Sequence, residues 1–353
     1  MPTDESTPLT YAASGVDIDA GEEAVRRIKR MVESTHGPEV LSGIGGFGGL
    51  FAPDLSGVAE PVFVSGTDSV GSKLRLAFAG GRHNTVGIDA VAMCVNDIIC
   101  SGARPLFFLD YIGIGRLEPG VVERIVEGVV EGCRRAGCPL LGGEMAELPS
   151  IYAEGEYDLA GFAVGLADRS RLITGEAAQP GDALVGIASS GLHSNGYSLS
   201  RQVVLQVARL SLDDELPGTG RSVLDEMLEP TAIYVSEVRA LLEAVPVHGL
   251  ANITGGGLPD NAHRALRDGL VARVDGGSWP VPAVFRFIAD AGPVDGAEML
   301  RTFNMGVGMV AVVPQEAAEA AVAAVRKLGR AAWRIGAVAA HDGPARTVVE
   351  GVC

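Results

Sequence analysis

The stretch from Ser65 to Asp110 constrains the fold most, because it joins a strand, a turn, a small-residue helix and a second strand around two aspartates. Asp68 follows an apolar run at 61–64, and Asp97 comes late in the helical segment. A carboxylate at a strand end is well placed to hold a metal ion, and metal ions are how proteins usually hold polyphosphates. The stretch therefore predicts a magnesium–nucleotide platform.

The same helix also has a simpler interpretation, because acidic residues on it can act through the helix dipole or through solvent. Asp89 lies in the first turns of the predicted helix 84–101, where the dipole favours a negative charge, and Asp97 can be a solvated surface residue. Asp89 and Asn96 are two turns apart and share a face, with Asp97 about a quarter-turn away. Both interpretations stay open on spacing alone.

Length and charge limit the classes of function. The chain has 353 residues, which favours two domains over one core. Its formal net charge is −16, so a nucleic-acid binder with a basic face is disfavoured. Phosphates would then have to be held locally, by backbone N–H groups, a few cations or metal ions.

The cysteines and the termini indicate a cytoplasmic protein with no membrane association. The five cysteines show no CxxC spacing, which argues against a zinc site or a disulfide framework. The polar N-terminal segment does not resemble a signal peptide, and no uninterrupted apolar run is long enough to span a membrane.

Two glycine motifs resemble nucleotide-binding signatures but fail on context. Gly43, Gly45 and Gly48 fit G-x-G-x-x-G, yet they follow a helix and open none, contrary to a dinucleotide fold. The run from Gly66 to Lys73 nearly spells a P-loop, but serine precedes the lysine instead of following it. The first motif is therefore either a mobile loop that closes over phosphates or a flexible connector.

Hydrophobic periodicity predicts an α/β chain of the α+β type with two domains, residues 1–170 and 171–353, joined by a polar connector at 169–181. Helices are predicted at 19–37, 84–101, 118–136, 230–245 and 315–328. Two more are predicted after the loops 189–198 and 252–257, the first of them ending at Ala208. Strands are predicted at 61–65, 105–112, 139–141, 157–167, 183–188, 247–253, 270–274, 307–313, 332–338 and 346–350. Strand-to-helix loops at 189–198 and 252–257 are candidate anion cradles, and the second also reads as an ordinary glycine turn.

Six motifs in fixed order carry a family resemblance across nearly the whole chain. They are SGTDSVGSKLRLA, VGIDAVAMCVNDIICSGARPLFFLDY, LLGGEMAELP, SSGLHSNGYSL, NITGGGLPDN and TFNMGVGM. Together they resemble the phosphoribosylformylglycinamidine cyclo-ligase (aminoimidazole ribonucleotide synthetase) family of purine biosynthesis. The chain departs from the family pattern at Ser69, Ser72, Met145 and Ser150, and none of these changes removes an acid, a lysine or a histidine.

The resemblance implies an ATP- and Mg²⁺-dependent ring closure of formylglycinamidine ribonucleotide. It implies Asp68 and Asp97 as metal ligands, with Asn252 as a weaker third. Nucleotide contacts are implied at Lys29, Gly45, Gly46, Gly48, Asp68, Asn96 and Asp97. Catalytic groups are implied at Lys73, Glu144 and His193, and substrate contacts at Ser194, Asn195, Thr254 and Gly255. Lys73 would neutralise phosphate charge, and His193 would contact the ribose phosphate or transfer a proton.

The family fold implies a homodimer in which two N-terminal domains close a β-barrel. Other ATP enzymes of the same superfamily are the nearest rivals. Selenophosphate synthetase would need a reactive Cys or Sec in the loop 43–49, and thiamine-monophosphate kinase has no use for the His193 loop. A hydrogenase-maturation dehydratase remains as the alternative, with the C-terminal Cys353 as acceptor. A dinucleotide-dependent oxidoreductase and a non-enzymatic scaffold are the remaining classes.

Overall fold

The computed structural model describes residues 10–351 and contains two mixed sheets, each covered by helices. The N-terminal elements are α1 (Ile18–Glu33), β1 (Pro61–Ser69), α2 (Leu74–Gly80), α3 (Val86–Ile99), β2 (Arg104–Ile114), α4 (Pro119–Ala136), β3 (Leu140–Glu147) and β4 (Tyr157–Asp168). Their sheet has the order β1-β4-β2-β3, in which only the β2–β3 pair is parallel. That pair is parallel because α4 carries the chain back across the sheet.

The C-terminal elements form a larger, six-stranded sheet. They are β5 (Ala183–Ala188), α5 (Tyr197–Arg201), β6 (Glu215–Leu216), β7 (Arg221–Ser222), α6 (Val223–Met227), α7 (Val235–Ala244), β8 (Gly249–Asn252), α8 (Gly257–Asn261), β9 (Leu270–Asp275), α9 (Ala283–Ala291), α10 (Gly296–Thr302), β10 (Val307–Val313), α11 (Ala318–Arg326), β11 (Ala332–Ala340) and β12 (Arg346–Glu350). The strand order is β12-β9-β11-β5-β10-β8, so β8 is an edge strand.

Glycines allow the buried helix α3 to lie directly against α4. A Cβ on Gly87 would come within 2.3 Å of the Val129 backbone nitrogen, and one on Gly128 within 2.5 Å of the Asn84 carbonyl oxygen. This close approach places the middle of α3 in the core and directs its other face toward the C-terminal domain. The predicted small-residue packing of this helix is confirmed.

Most predicted elements are present, but one prediction fails in part near the junction of the domains. The predicted helix 230–245 begins only at Val235, because residues 230–234 are non-helical and bond to α3. Helices α2, α6, α9 and α10 and the short β6–β7 hairpin were not predicted. No helix among residues 10–351 combines the length and apolar character needed to cross a bilayer.

Candidate functional site

One aspartate of the Ser65–Asp110 stretch, Asp97, bonds a side chain of the C-terminal domain, and the other, Asp68, lies close enough to Asp97 for their charges to interact. Asp68 lies near the end of β1, Asp97 in the last turn of α3, and Asn252 at the end of β8. The Asn252 Nδ2 donates to Asp97 Oδ1 at 2.8 Å. Burial raises the pKa of Asp68, and the negative charge of Asp97 raises it further. The fold therefore brings together the three predicted metal ligands from three separate elements.

This set fits a magnesium ion. Two neighbouring carboxylates repel each other, and a divalent cation relieves that repulsion; Mg²⁺ is commonly bound by one or two carboxylates together with phosphate oxygens and waters. With its Nδ2 bonded to Asp97, Asn252 keeps its Oδ1 as an acceptor. Within residues 10–351, no cluster of three or more His, Cys, Asp or Glu side chains is arranged to hold a metal without such help.

A cavity of about 250 Å³ opens beside this set, between the two domains. Its lining includes Asp97 and Asn252 of the proposed metal site, Arg264, and Thr174 and Gly175 of the connector. A site with both signs of charge can hold a metal–phosphate complex. Sequence reasoning missed Arg264, since nothing in its local pattern distinguishes it from a surface arginine.

The predicted substrate loops lie side by side near the junction. The Asn195 Oδ1 would be 3.3 Å from a Cβ placed on Gly255, so the loop 193–195 touches the glycine turn 254–257. Ser194 Oγ and Thr231 Oγ1 are 3.2 Å apart. Ser194, Asn195 and Thr254 are half-buried, and Gly255 is exposed, so these groups can reach a bound molecule.

His193 is placed differently from its prediction. It is buried, with a left-handed φ of 62°, and its Nε2 accepts a hydrogen bond from the Ser190 N–H at 3.2 Å. Burial lowers the pKa of His193 to about 3, helped by the positive charges of Lys73 and Arg330. A buried, neutral imidazole argues against a ribose-phosphate contact or a proton transfer, and indicates that His193 shapes its loop.

Lys73 is also displaced from its predicted role. Its side chain is fully buried, and its Nζ donates to Asp89 Oδ1 at 2.9 Å, to the His193 carbonyl at 3.0 Å and to the Glu229 carbonyl at 2.7 Å. Burial lowers the pKa of Lys73, and the adjacent Asp89 opposes that shift. All three donors are therefore used within the protein, which argues against the predicted contact with phosphate.

Asn96 and Asp89 belong to the same junction, which we call the α3 clamp: Lys73, Asp89 and Asn96 holding residues 229–234. Asp89 Oδ1 accepts from both the backbone and the hydroxyl of Thr231, at 2.7 and 2.6 Å. Asn96 donates to the Ala232 carbonyl at 2.7 Å and accepts from the Tyr234 N–H at 3.0 Å. The predicted nucleotide contact of Asn96 is unsupported, because its side chain is buried and already paired. Asp89 is neither a solvated residue nor a simple dipole charge.

The other predicted nucleotide residues lie on the N-terminal domain. Gly45, Gly46 and Gly48 form an exposed loop closed at its base by the Leu41 N–H, which donates to the Leu50 carbonyl at 2.8 Å. Lys29 is exposed on α1, where its ammonium lies 4.0 Å from the Glu33 carboxylate. Both remain accessible to a ligand.

Glu144 lines a second, larger cavity of about 580 Å³ between α1 and the sheet. Ile44 of the glycine loop and Asp110 of β2 line it too, whereas His193 does not. Burial raises the pKa of Asp110 to about 7. Its carboxyl lies against Gly143, where a Cβ would clash with it. Sequence reasoning missed Asp110, although its place in an alternating strand gave a signal. The predicted catalytic residues thus separate into two regions.

Comparisons with known proteins cover almost the whole chain. The family model for the AIR synthase related protein N-terminal domain matches residues 56–167, and the model for the C-terminal domain matches residues 179–349. Phosphoribosylformylglycinamidine cyclo-ligase from Symbiobacterium thermophilum is 57% identical over 97% of this chain and 98% of that protein. The protein of the same name from Sorangium cellulosum is 55% identical, over 94% and 95% of the two chains.

Solved structures share the fold at lower identity. Thiamine-monophosphate kinase from Stenotrophomonas maltophilia superimposes with a TM-score of 0.71 at 19% identity, over 92% of this chain and 96% of that one. The hydrogenase maturation protein HypE from E. coli gives 0.65 at 20% identity, over 92% of both chains. A HypE structure in complex with ATP gives 0.64 at 20% identity, over 92% and 91%.

Proposed function

The chain belongs to the phosphoribosylformylglycinamidine cyclo-ligase family, and from that premise we propose how its residues close the imidazole ring. The reaction converts formylglycinamidine ribonucleotide and ATP into aminoimidazole ribonucleotide, ADP and phosphate. It belongs to de novo purine biosynthesis. The identity of more than half the residues over nearly the full length carries this conclusion.

The chemistry needs activation of a poor leaving group. Transfer of the γ-phosphoryl group of ATP to the formyl oxygen gives an O-phosphorylated imidate and ADP. The amidine-side nitrogen of the substrate then attacks the same carbon, the C–O bond breaks, and phosphate leaves with that oxygen. The protein contributes no nucleophile in this scheme, so its task is positioning and charge neutralisation.

Asp68, Asp97 and Asn252 are proposed to hold Mg²⁺. When bound, the ion supplies positive charge against the ATP phosphates. Support comes from the raised pKa of Asp68 beside Asp97 and from the bond that fixes Asn252 on Asp97. These three residues fix the position of the triphosphate relative to the two domains.

The glycine loop and Lys29 are proposed to bind the nucleotide from the N-terminal domain. Gly45, Gly46 and Gly48 can present backbone N–H groups to phosphate oxygens and exclude water when the loop closes. Glu144, in the 580 Å³ cavity bordered by the same loop, is proposed to accept hydrogen bonds from a bound ligand. We place ATP near the loop 43–49 because that loop is exposed and rich in glycine.

Ser194, Asn195, Thr254 and Gly255 are proposed to orient the ribonucleotide. Their loops are adjacent and only partly buried, so hydroxyl, amide and backbone groups converge on one region. Lys73 and His193 act as positioning residues, because one binds the carbonyl of the other and both are buried. This revises the roles that the family resemblance implied for them.

A cytoplasmic homodimer is proposed for the assembled enzyme. Phe63 and Phe162 lie on the open face of the N-terminal sheet and are 61% and 52% exposed. Exposed aromatic groups beside an unpaired edge strand favour coverage by a second copy, which would close a barrel. Cys94, Cys100, Cys133 and Cys138 are free thiols, which is typical of proteins in a reducing compartment.

The test is a coupled assay for ATP-dependent formation of aminoimidazole ribonucleotide by the full-length protein. We expect product and ADP in equal amounts, and no product when ATP is replaced by a non-hydrolysable analogue. A folded protein that forms no aminoimidazole would overturn the proposal. The dehydratase alternative is not favoured by the family matches, and its acceptor Cys353 lies outside the described residues; deletion of Cys353 should leave turnover unchanged.

A further inference from the structure

We propose that Arg264 is the phosphoryl-binding cation of the interdomain cavity, acting opposite Asp97 and Asn252. The proposal rests on the proposed function for its substrates but not for its geometry. The ligand class is a phosphate monoester or anhydride, taken with its metal ion. The following contacts carry it.

Arg264 and Asp97 line the same cavity of about 250 Å³ without forming an ion pair. No nitrogen of Arg264 lies within 4.0 Å of a carboxylate among residues 10–351. A cavity lined by a carboxylate and by a guanidinium that has no carboxylate partner among those residues suits a metal cation bound to a phosphoryl anion.

The guanidinium is oriented by a buried asparagine. Asn261 is 2% exposed, and its Oδ1 accepts from the Arg264 Nη1 at 3.2 Å. Its Nδ2 donates to the carbonyls of Gly255 and Gly257, at 3.0 and 2.9 Å. The same residue therefore fixes both the arginine and the glycine turn of the proposed substrate loop. A buried hydrogen-bond partner of this kind holds the side chain that binds a ligand in a fixed orientation.

The connector contributes Ile173, Thr174 and Gly175 to the cavity wall. Gly175 has a φ of 80°, and a Cβ there would lie 2.7 Å from the Ala265 carbonyl, so the connector packs directly on the turn that carries Arg264. The Ile173 N–H donates to the Ser101 carbonyl at 3.0 Å, which ties the connector to the end of α3. The cavity wall is thus held by both domains.

A cation is needed in this cavity to offset the negative charge of the bound phosphates. The chain carries a formal charge of −16, and transferring a phosphoryl group to a phosphorylated substrate brings several more negative charges to the acid pair. Lys73, the cation predicted for this task, is buried and fully paired. Arg264 has four further N–H donors beyond the one bonded to Asn261.

The test compares Arg264→Ala and Arg264→Lys with Arg267→Ala in the full-length protein. Arg267 is a matched control, because it is exposed three residues away, bonds only the Asp268 carbonyl among described residues, and does not line the cavity. The first readout is the thermal stabilisation by inorganic phosphate with Mg²⁺. The second is the separate KM for ATP and for the ribonucleotide.

We expect Arg264→Ala to lose the stabilisation by phosphate and to raise one KM by about ten- to a hundredfold, the range for a charge-assisted hydrogen bond. The KM of Arg264→Lys should lie between those of the wild type and Arg264→Ala, and the KM of Arg267→Ala should stay within about twofold of the wild type. A raised KM confined to ATP assigns the site to the triphosphate, and one confined to the ribonucleotide assigns it to the ribose phosphate.

The proposal is overturned if Arg264→Ala behaves as Arg267→Ala does in both readouts. A wild-type protein without turnover contradicts the proposed function alone. In that case the phosphate readout decides by itself: loss of stabilisation in Arg264→Ala supports the site, and equal stabilisation in all variants, or none in any, overturns it.

Discussion

At the scale of single residues, the acid pair is where charge has the greatest effect. Asp68 and Asp97 come from different elements; burial raises the pKa of Asp68, and the negative charge of Asp97 adds to that shift. A metal ion bound between the two carboxylates would relieve the repulsion between their charges. Their value to the reaction therefore lies in charge, since an amide of the same shape would preserve the packing.

We expect Asp68→Asn or Asp97→Asn to lower kcat/KM by about 10²-fold or more, as loss of a charge-stabilising group does. The measurement is the coupled assay at saturating Mg²⁺ and ATP. Asp213→Asn, at an exposed aspartate with no described hydrogen bond, is the control and should retain wild-type kinetics. Near-wild-type rates for both site variants would remove these residues from the metal site.

His193 predicts an acid sensitivity of stability. The pKa of His193 is about 3 in the folded protein and about 6.5 in the unfolded chain. Below pH 6.5 the imidazole is therefore protonated in the unfolded chain but stays neutral in the folded protein. Stability is therefore lost as the pH falls through this window, by up to about 2 kcal/mol between pH 7 and pH 5 at 1.36 kcal/mol per unit. Protonation would also remove the acceptor for the Ser190 N–H.

The measurement is the free energy of unfolding by urea at both pH values for the wild type and His193→Gln. The variant should be less stable at neutral pH but should lose about 2 kcal/mol less on acidification. Carboxylates titrate in both proteins and cancel in this difference. Equal acid losses in the two proteins would show that His193 titrates normally when folded.

The sequence offered a local signal for the acids and none for the burial of the cations. Asp68, Asp97 and Asn252 stand in recognisable motifs at element ends, and their metal role stays a prediction of the family resemblance. The burial of Lys73 and His193 could not be predicted, since it depends on a contact between domains more than a hundred residues apart. A polar residue near a site looks the same in sequence whether it contacts a ligand or holds the walls together.

At the scale of elements, the α3 clamp joins a buried helix to a non-helical segment. Residues 230–234 carry helical periodicity in sequence, but their backbone groups bond to Asp89 and Asn96. Tertiary hydrogen bonds therefore override local propensity here, which explains why the predicted helix starts late. Most strands were predicted within a few residues, because their apolar runs reflect burial, whereas β3 was predicted only at 139–141 and extends to Glu147 through a polar, glycine-containing segment.

We expect Lys73→Met to destabilise the protein by about 3–5 kcal/mol, because it leaves the Asp89 charge buried without its cation. One oxygen of that carboxylate, Oδ2, already lacks a described partner. Lys73→Met combined with Asp89→Asn removes the unpaired charge and should recover part of the loss. The measurement is the free energy of unfolding by urea.

The control for the clamp is Arg239→Met, which removes the same charge from an exposed pair with Glu243 and should change stability little. Stability loss in Lys73→Met no greater than in Arg239→Met would mean that the buried pair does not hold the domains. Equal losses in the single and double clamp variants would show that the cost comes from packing and not from the unpaired carboxylate.

At the scale of the whole molecule, the candidate site depends on both domains. Asp68 and Asp97 come from the N-terminal domain, whereas Asn252, Arg264 and the two substrate loops come from the C-terminal domain. The cavity lies between the two domains, and the α3 clamp and the connector hold the domains together. A site of this kind cannot be placed from local sequence, because no single segment contains it.

The open face of the N-terminal sheet predicts the assembly state. Phe63 and Phe162 lie on the same face of β1 and β4, because Phe162 pairs with Thr67, four residues along β1 from Phe63. Burying a phenylalanine contributes about 1.5–3 kcal/mol. A two-fold dimer would bury the exposed half or so of four such rings, so Phe63→Ser with Phe162→Ser should weaken dimerisation by roughly 3–6 kcal/mol, more than a hundredfold in Kd.

We therefore expect the wild type to sediment as a dimer at micromolar concentration and the double variant as a monomer. Leu328→Ser is the control, because Leu328 is 50% exposed on the C-terminal domain, away from this sheet, and its loss should leave the dimer intact. If the barrel supports the nearby Asp68 of β1, the loss of the dimer should also lower turnover. A wild-type monomer, or a double variant that stays dimeric, would show that this face is not the dimer interface.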